Sequence, residues 1–217
     1  MELKVEEVGL SYGARPVLQN VSFTLEQQES ALLLGPSGSG KSSLLNIICG
    51  LQTPDRGTVT LGTERVVSAD GSANSDAVRR RSMGIIFQTL RLVSALSLKA
   101  NLLLAQKIQN GAHDPNLVQE TLDRLGIADR ANARPFELSQ GEAQRAAIAR
   151  ALVVKPTLLI ADEPTSALDA ANAERAAQLL LDVARNAGAS LLVATHDQRL
   201  NALFARTMTL DNGRLAA

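Results

Sequence analysis

Gly35-Pro36-Ser37-Gly38-Ser39-Gly40-Lys41-Ser42 has the Gly-x-x-x-x-Gly-Lys-Ser spacing that wraps backbone around the phosphate chain of a nucleotide. Its glycines lack Cβ atoms, so N–H groups can ring the phosphates, and a helix starting there adds its positive N-terminal end. Lys41 is spaced to reach the β- and γ-phosphates. Ser42 offers a hydroxyl to Mg²⁺, a hard cation that takes oxygen ligands, and Ser43 continues the nucleotide-binding run. A flexible Gly/Ser turn has similar composition but not this context. Apolar Ala31 to Leu34 precede the loop as a strand, and Leu44, Leu45, Ile47 and Ile48 follow at helical spacing, closed by Gly50.

Several further positions could serve the same ligand. Thr157 to Ala161 is an apolar strand that runs into Asp162-Glu163, which puts one acid near Mg²⁺ and the next near an attacking water. Ser190 to Thr195 is another such strand and delivers His196 to the edge where strand C-termini converge on a ligand. His113, by contrast, lies in a polar loop. Gln88 ends the apolar strand Met83 to Phe87, where an amide either coordinates a metal, holds a water or is plain polar edging. Tyr12, the only tyrosine, is a surface residue or a platform for a purine. Ser139 with Glu142 forms a helix capping box; alternatively Ser139, the Gly141 N–H and the helix dipole make a second anion site.

The elements that position these residues fall into two kinds. Leu3 to Val8, then Val21, Phe23 and Leu25 alternating with polar residues, read as strands of a sheet with one wet face, and Thr58 to Leu61 as another short strand. Residues 63–77, with Asp70-Gly71-Ser72, read as an exposed loop, and Arg79-Arg80-Arg81 as a solvated face. From Thr89 to about Val154 the strand signals vanish. Leu96, Leu98, Leu102 and Leu103, then Leu117, Val118, Leu122 and Leu125, repeat at helical spacing, broken at Gly111 to Pro115 and at Gly126. Ser166-Ala167-Leu168-Asp169 leads into a helix from Ala170 to Ala187, stopped by Gly188, and residues 208–215 form a hairpin around Asp211-Asn212-Gly213.

Composition narrows the function classes. Lys plus Arg and Asp plus Glu are both 22, so no global basic field favours nucleic acid as a partner. Cys49 is the only cysteine, which excludes an internal disulfide and a cysteine metal cluster and fits a reducing cytosol. No apolar run approaches a bilayer span, and the acidic start is unlike a signal peptide, so a membrane connection is expected only through a partner.

Taken together, Tyr12, the loop at 35–42, Gln88, Leu138-Ser139-Gln140-Gly141-Glu142, the strand ending in Asp162-Glu163, Asp169 and His196 resemble the ATP-binding cassette (ABC) ATPases over essentially the whole chain. The resemblance implies an α/β fold: a P-loop NTPase (RecA-like) core with mixed sheet, an antiparallel β subdomain and an inserted helical subdomain. Residues 1–88 and 155–217 would form the nucleotide-binding lobe, and 89–154 the helical lobe with the signature segment. It also implies ATP and Mg²⁺ as cofactors and a homodimer closed head to tail. Tyr12 would stack on adenine, Lys41 and Ser42 hold phosphates and Mg²⁺, Gln88 sense metal and water, and Asp162 lie near the metal. Glu163 would be the general base and His196 would contact the γ-phosphate. Ser139 and Gly141 would reach that phosphate from the partner cassette, and Asp169 would act across the dimer. Gln140 replaces the usual first glycine of the signature and Glu142 the usual closing glutamine.

Within the family, Asp129 to Pro135, Glu142-Ala143-Gln144-Arg145 and the late Ala194-Thr195-His196-Asp197 resemble the lipoprotein-release and macrolide-efflux branch, which pairs with few-span permeases of the FtsX type. That implies a cytoplasmic protein held peripherally at the inner face of the membrane by its permease. A permease helix would dock in a groove lined by residues 90–101, which mix Leu92, Val93, Ala95 and Leu98 with Arg91 and Lys99. Two rivals are a cassette that gates or signals through a permease without transport, and a DNA-repair ATPase. The latter needs a long coiled-coil insertion, whereas about 50 residues separate Gln88 from Leu138 without sustained heptads.

Overall fold

The computed structural model describes residues 1–111, 113–166 and 168–216; Ala112 of the Gly111 to Pro115 break and Ala167 of the Ser166 to Asp169 segment lie outside them. In chain order come β1 (Leu3–Tyr12), β2 (Arg15–Leu25), β3 (Ser30–Leu34), α1 (Lys41–Ile48), β4 (Arg56–Leu61), β5 (Glu64–Ser68), α2 (Ser75–Ser82) and β6 (Met83–Ile86). Three helices follow, α3 (Leu98–Asn110), α4 (Pro115–Arg124) and α5 (Gln140–Leu152). The chain then returns through β7 (Leu158–Asp162), α6 (Ala170–Ala187), β8 (Ser190–Thr195), β9 (Arg206–Asp211) and β10 (Arg214–Leu215).

Two sheets result. One is antiparallel, in the order β2-β1-β4-β5; the other runs β10-β9-β3-β8-β7-β6 and is parallel except for β10. A parallel sheet covered on both sides needs apolar residues of both phases. Accordingly Leu33, Leu158, Ile160, Leu192 and Ala194 face a core shared with α1 and the antiparallel sheet, while Leu32, Leu159, Ala161, Leu191 and Val193 face a core shared with α3 to α6. The inserted helices thus pack on the same sheet that carries the phosphate loop. Among the described residues no helix is long and apolar enough to cross a membrane.

Two expectations are corrected. Residues 63–77 are not an exposed loop: they contain β5 and the start of α2, because Val66 and Val67 are buried against the core beside β4. Between β5 and α2 the chain turns at Ala69-Asp70 and bends at Gly71, with Asp70 accepting from the Ser72 N–H and hydroxyl. Nor is Arg79-Arg80-Arg81 a uniformly solvated face. The Arg79 guanidinium pairs with Asp76 and donates to the Cys49 and Gly50 carbonyls (3.1 and 3.3 Å), so it serves carbonyls that the end of α1 leaves without helical partners. Arg81 pairs with Glu64.

Candidate active site

β3 ends at Leu34 and the chain turns through 35–40 into α1. Gly40 is the N-cap at φ 105°, a backbone conformation costly for other residues, and a Cβ there would meet Leu18 and the Val17 carbonyl at 2.9 Å. No side chain caps α1, so its first-turn N–H groups and its dipole are directed at the space in front of the loop. The Ser39 hydroxyl is buried with no hydrogen-bond partner among the described residues. Lys41 is only 5% exposed; its ammonium donates to the Gly35 and Pro36 carbonyls (2.7 and 3.1 Å) and lies 3.5 Å from Glu163 Oε1.

The acids arrive from the neighbouring strand. β7 delivers Asp162, and Glu163 follows with φ 48°, a left-handed backbone held by its N–H donating to the Ala194 carbonyl at 2.8 Å. Strain of this kind persists only where the surroundings over-determine it. Glu163 Oε2 is 2.9 Å from His196 Nδ1 and accepts from the Thr195 hydroxyl at 3.2 Å, while its other oxygen faces Lys41. The carboxylate is therefore oriented from three sides. Thr195 is fully buried and was not singled out as a site residue; the only signal in the chain is a hydroxyl closing an otherwise apolar strand just before His196. Burial pushes the pKa of Asp162 up from its ordinary value, opposed by a hydrogen bond that it accepts from the Ser42 hydroxyl. Its Oδ1 is buried and has no partner among the described residues.

Val17, Ser37, Gly38, Gly40, Lys41, Ser42, Ser43, Gln88, Glu163 and His196 line one cavity of about 330 Å³. The structure thus joins loop, general-base candidate, glutamine and histidine from four separate stretches of sequence, with Val17 as a fifth. Val17, from β2, is the member that sequence reading missed. Tyr12 does not line this cavity; it ends β1 paired with Arg15, is 58% exposed, and accepts a hydrogen bond from Gln52 at 2.8 Å.

Ser139 and Gly141 are not in that cavity either. Ser139 caps α5, its hydroxyl accepting from the Glu142 N–H at 3.4 Å while its own N–H donates to Glu142 Oε2 at 2.7 Å, the full capping box. Ser139, Gly141, Leu168 and Arg175 instead line a separate depression. Asp169 is exposed and caps α6; hydrogen bonds from the Asn172 backbone and side chain hold its carboxyl below the usual range. One chain therefore carries a phosphate loop and a signature segment that do not meet.

A family model described as ABC transporter matches residues 18–166. The chain belongs to the ABC transporter ATP-binding family. Two curated proteins of Mycobacterium tuberculosis, the uncharacterized ABC transporter ATP-binding proteins MT1014 and Rv0986, are each 38% identical over 93% of this chain and 82% of their own length. Among solved structures, a dimeric structure of MJ0796, a bacterial ABC transporter cassette, aligns with TM-score 0.87 at 32% identity, covering 99% of this chain and 97% of that one. A post-hydrolysis state of the same cassette with ADP and Pi aligns equally well at 31% identity. The cassette cbiO1 of Clostridium perfringens aligns at TM-score 0.86 and 28% identity over 99% of this chain and 86% of its own. This cassette is accordingly a nucleotide-binding ABC ATPase with the α/β architecture of MJ0796.

The cassette has a further concave feature. A groove of about 350 Å³ runs between α2, β6, α3 and α5, lined by Met83, Ile85, Phe87, Val93, Leu104 and Ile108 together with Arg79, Arg80, Arg91 and Arg150. Val93 and Ile108 are exposed at 43% and 58%. The Arg91 guanidinium sits 4.5 Å from the Phe87 ring centroid, and Arg150 donates to the Arg91 and Ile85 carbonyls. Of residues 90–101, only Arg91, Val93 and Asn101 line this groove. Leu98 is instead buried in the core and Leu92 packs against it, because the chain stays irregular until α3 begins.

Proposed function

We propose that this cassette is the ATP-hydrolysing subunit of a transporter, closing head to tail with a second copy around two ATP molecules and driving a separate FtsX-type permease at the inner face of the membrane. The observation that carries the reading is the separation described above: Lys41, Glu163 and His196 line one cavity and would form one half-site, and Ser139 and Gly141 line a separate depression and would form the other. Two copies related by a two-fold axis satisfy both halves at once. Lys41 and the loop N–H groups hold the β- and γ-phosphates, Tyr12 stacks on adenine, and Asp169 acts across the dimer. Glu163 holds the attacking water and takes its proton, oriented by Thr195 and His196. His196 also faces the γ-phosphate.

The Ser42 hydroxyl, the unpartnered Asp162 Oδ1 and the Gln88 amide fit a hard divalent cation, Mg²⁺, completed by phosphate oxygens and water. Such an ion, when bound, neutralises charge developing on the phosphates. Ser139→Ala is expected to leave ATP affinity of the monomer within about twofold while lowering turnover at least about tenfold, the loss of one donor to a transition-state oxyanion being worth that much or more. Equilibrium titration of ATP and a phosphate-release assay on the same preparation check it. Equal loss in both measurements contradicts the two-copy site.

The groove supports the permease part of the reading. Its apolar floor suits one face of an amphipathic helix, and Arg80, Arg91 and Arg150 make no ion pair with a carboxylate among the described residues. A permease helix carrying Asp or Glu beside its apolar face complements that charge. Closure of the two cassettes would then drag the docked helix and couple hydrolysis to a membrane movement. Arg91→Glu is expected to reduce permease recovered in a pull-down from detergent-solubilised membranes by about tenfold. Lys99→Glu, outside the groove lining, is expected to leave recovery at the parent level. Unchanged recovery with Arg91→Glu places the docking surface elsewhere.

A further inference from the structure

Glu142 puts a full negative charge on the residue that builds the signature segment. One carboxylate oxygen accepts from the Ser139 N–H at 2.7 Å, so the charge is bonded to the same residue whose hydroxyl, in the reading above, faces the partner cassette's phosphate. Those hydrogen bonds, with Arg130, hold the Glu142 carboxyl down at about 2. Protonation therefore does not relieve the charge at any pH where the enzyme works. A neutral glutamine makes the same backbone contact without opposing an incoming phosphate.

The second carboxylate oxygen is engaged from outside the helix. Arg130 Nε lies 2.7 Å from Glu142 Oε1, across twelve residues of sequence, and the acid is 17% exposed. The arginine's only other ion pair among the described residues is the looser one to its neighbour Asp129, at 3.6 Å. Its position is well supported. The 3₁₀ turn Ala128–Arg130 starts from fully buried Ile127, and the carbonyls of Ala131 and Ala133 accept from the Lys99 and Leu98 N–H groups at the start of α3, both at 2.8 Å. A pinned backbone lets the side chain hold the acid at a small entropic cost.

We infer that Arg130 is a positioning residue of the ATPase: by neutralising Glu142 it lets the Ser139 segment offer the partner's phosphate an anion site without net negative charge. The inference rests on the two-copy reading. In the open cassette the pair is a surface ion pair of little consequence, but on closure it is covered by a second chain and lies close to a nucleotide's phosphates. Like charges brought together out of water repel strongly, and an acid stripped of its partner there opposes closure.

The test is a double-mutant cycle on steady-state ATP hydrolysis with Mg²⁺, at one fixed cassette concentration, using Arg130→Ala, Glu142→Gln and the double variant. In the native background Arg130→Ala is expected to lower kcat/KM for ATP about tenfold. In the Glu142→Gln background the same removal is expected to cost less than about twofold. An equal cost in both backgrounds makes the arginine a tether for its turn and overturns the inference, as does no cost in the native background. Ser139→Ala in the same assay separates the two levels: if it too is without effect, the two-copy reading fails, whereas an impaired Ser139→Ala beside an unaffected Arg130→Ala sinks only the role of Arg130. Melting temperature and ATP titration of each variant confirm that the native fold and the phosphate loop are retained.

Discussion

Glu163→Gln is expected to bind ATP and to hydrolyse it at less than about a hundredth of the parent rate, the share that a positioned general base contributes. The substitution keeps the size of the side chain and its place beside Thr195 and His196, and leaves the loop contacts of Lys41 to Gly35 and Pro36 intact. What it removes is the acceptor for a water proton. It also removes one negative charge from beside Asp162, whose carboxyl the Glu163 charge already pushes up, which favours binding of an anionic nucleotide. The trapped form should therefore accumulate as a dimer. Size-exclusion chromatography with ATP and Mg²⁺, beside a phosphate-release assay, checks both halves; a monomer that hydrolyses ATP at the parent rate removes Glu163 from the mechanism.

Lys41→Ala is expected to abolish nucleotide binding at ordinary ATP concentrations. The ammonium is 5% exposed and sits 3.5 Å from a Glu163 carboxylate that is itself 10% exposed, so deletion strands a nearly buried acid next to the phosphate site. Breaking such a pair costs about 3–5 kcal/mol, an amount equivalent to roughly two to four orders of magnitude in Kd. The loop N–H groups and the dipole of α1 remain, so some affinity survives for inorganic phosphate at high concentration. Calorimetric titration with ATP reads the effect directly. A Kd within about threefold of the parent shows that the backbone alone holds the phosphates.

The local chemistry was legible because it depends on contiguous residues. A phosphate loop must place glycines, a lysine and a hydroxyl within eight positions between a strand and a helix, and that spacing is visible at 35–42 without any tertiary information. The same holds for apolar strands that end in Asp162-Glu163 and in His196, and for the Ser139 to Glu142 capping box, which the structure shows with both of its hydrogen bonds. Helix α6 begins and ends as its cap and Gly188 dictate. Each of these is signalled by residue types within one short stretch of the chain.

Other features depend on elements far apart in sequence. β5 was hidden because Val66-Val67 is too short a signal beside a polar turn, and only pairing with β4 over a shared core makes it a strand. Arg79 reads as solvated until α2 is laid against the end of α1, where exposed carbonyls need a donor. The groove takes its lining from α2, β6, α3 and α5, so the split of residues 90–101 between groove and core was not visible in their own pattern. By itself the sequence determined where the phosphate loop, Gln88, the Asp162-Glu163 pair and His196 stand along the chain and what chemistry their groups offer. Tertiary structure decided that Thr195 bonds the Glu163 carboxylate while the Ala194 carbonyl holds its left-handed backbone, that Arg130 pairs with Glu142, and that Ser139 and Lys41 line separate cavities. The physical reason is that sheet register and helix packing choose which distant side chains come within hydrogen-bonding range, and no local window contains that choice.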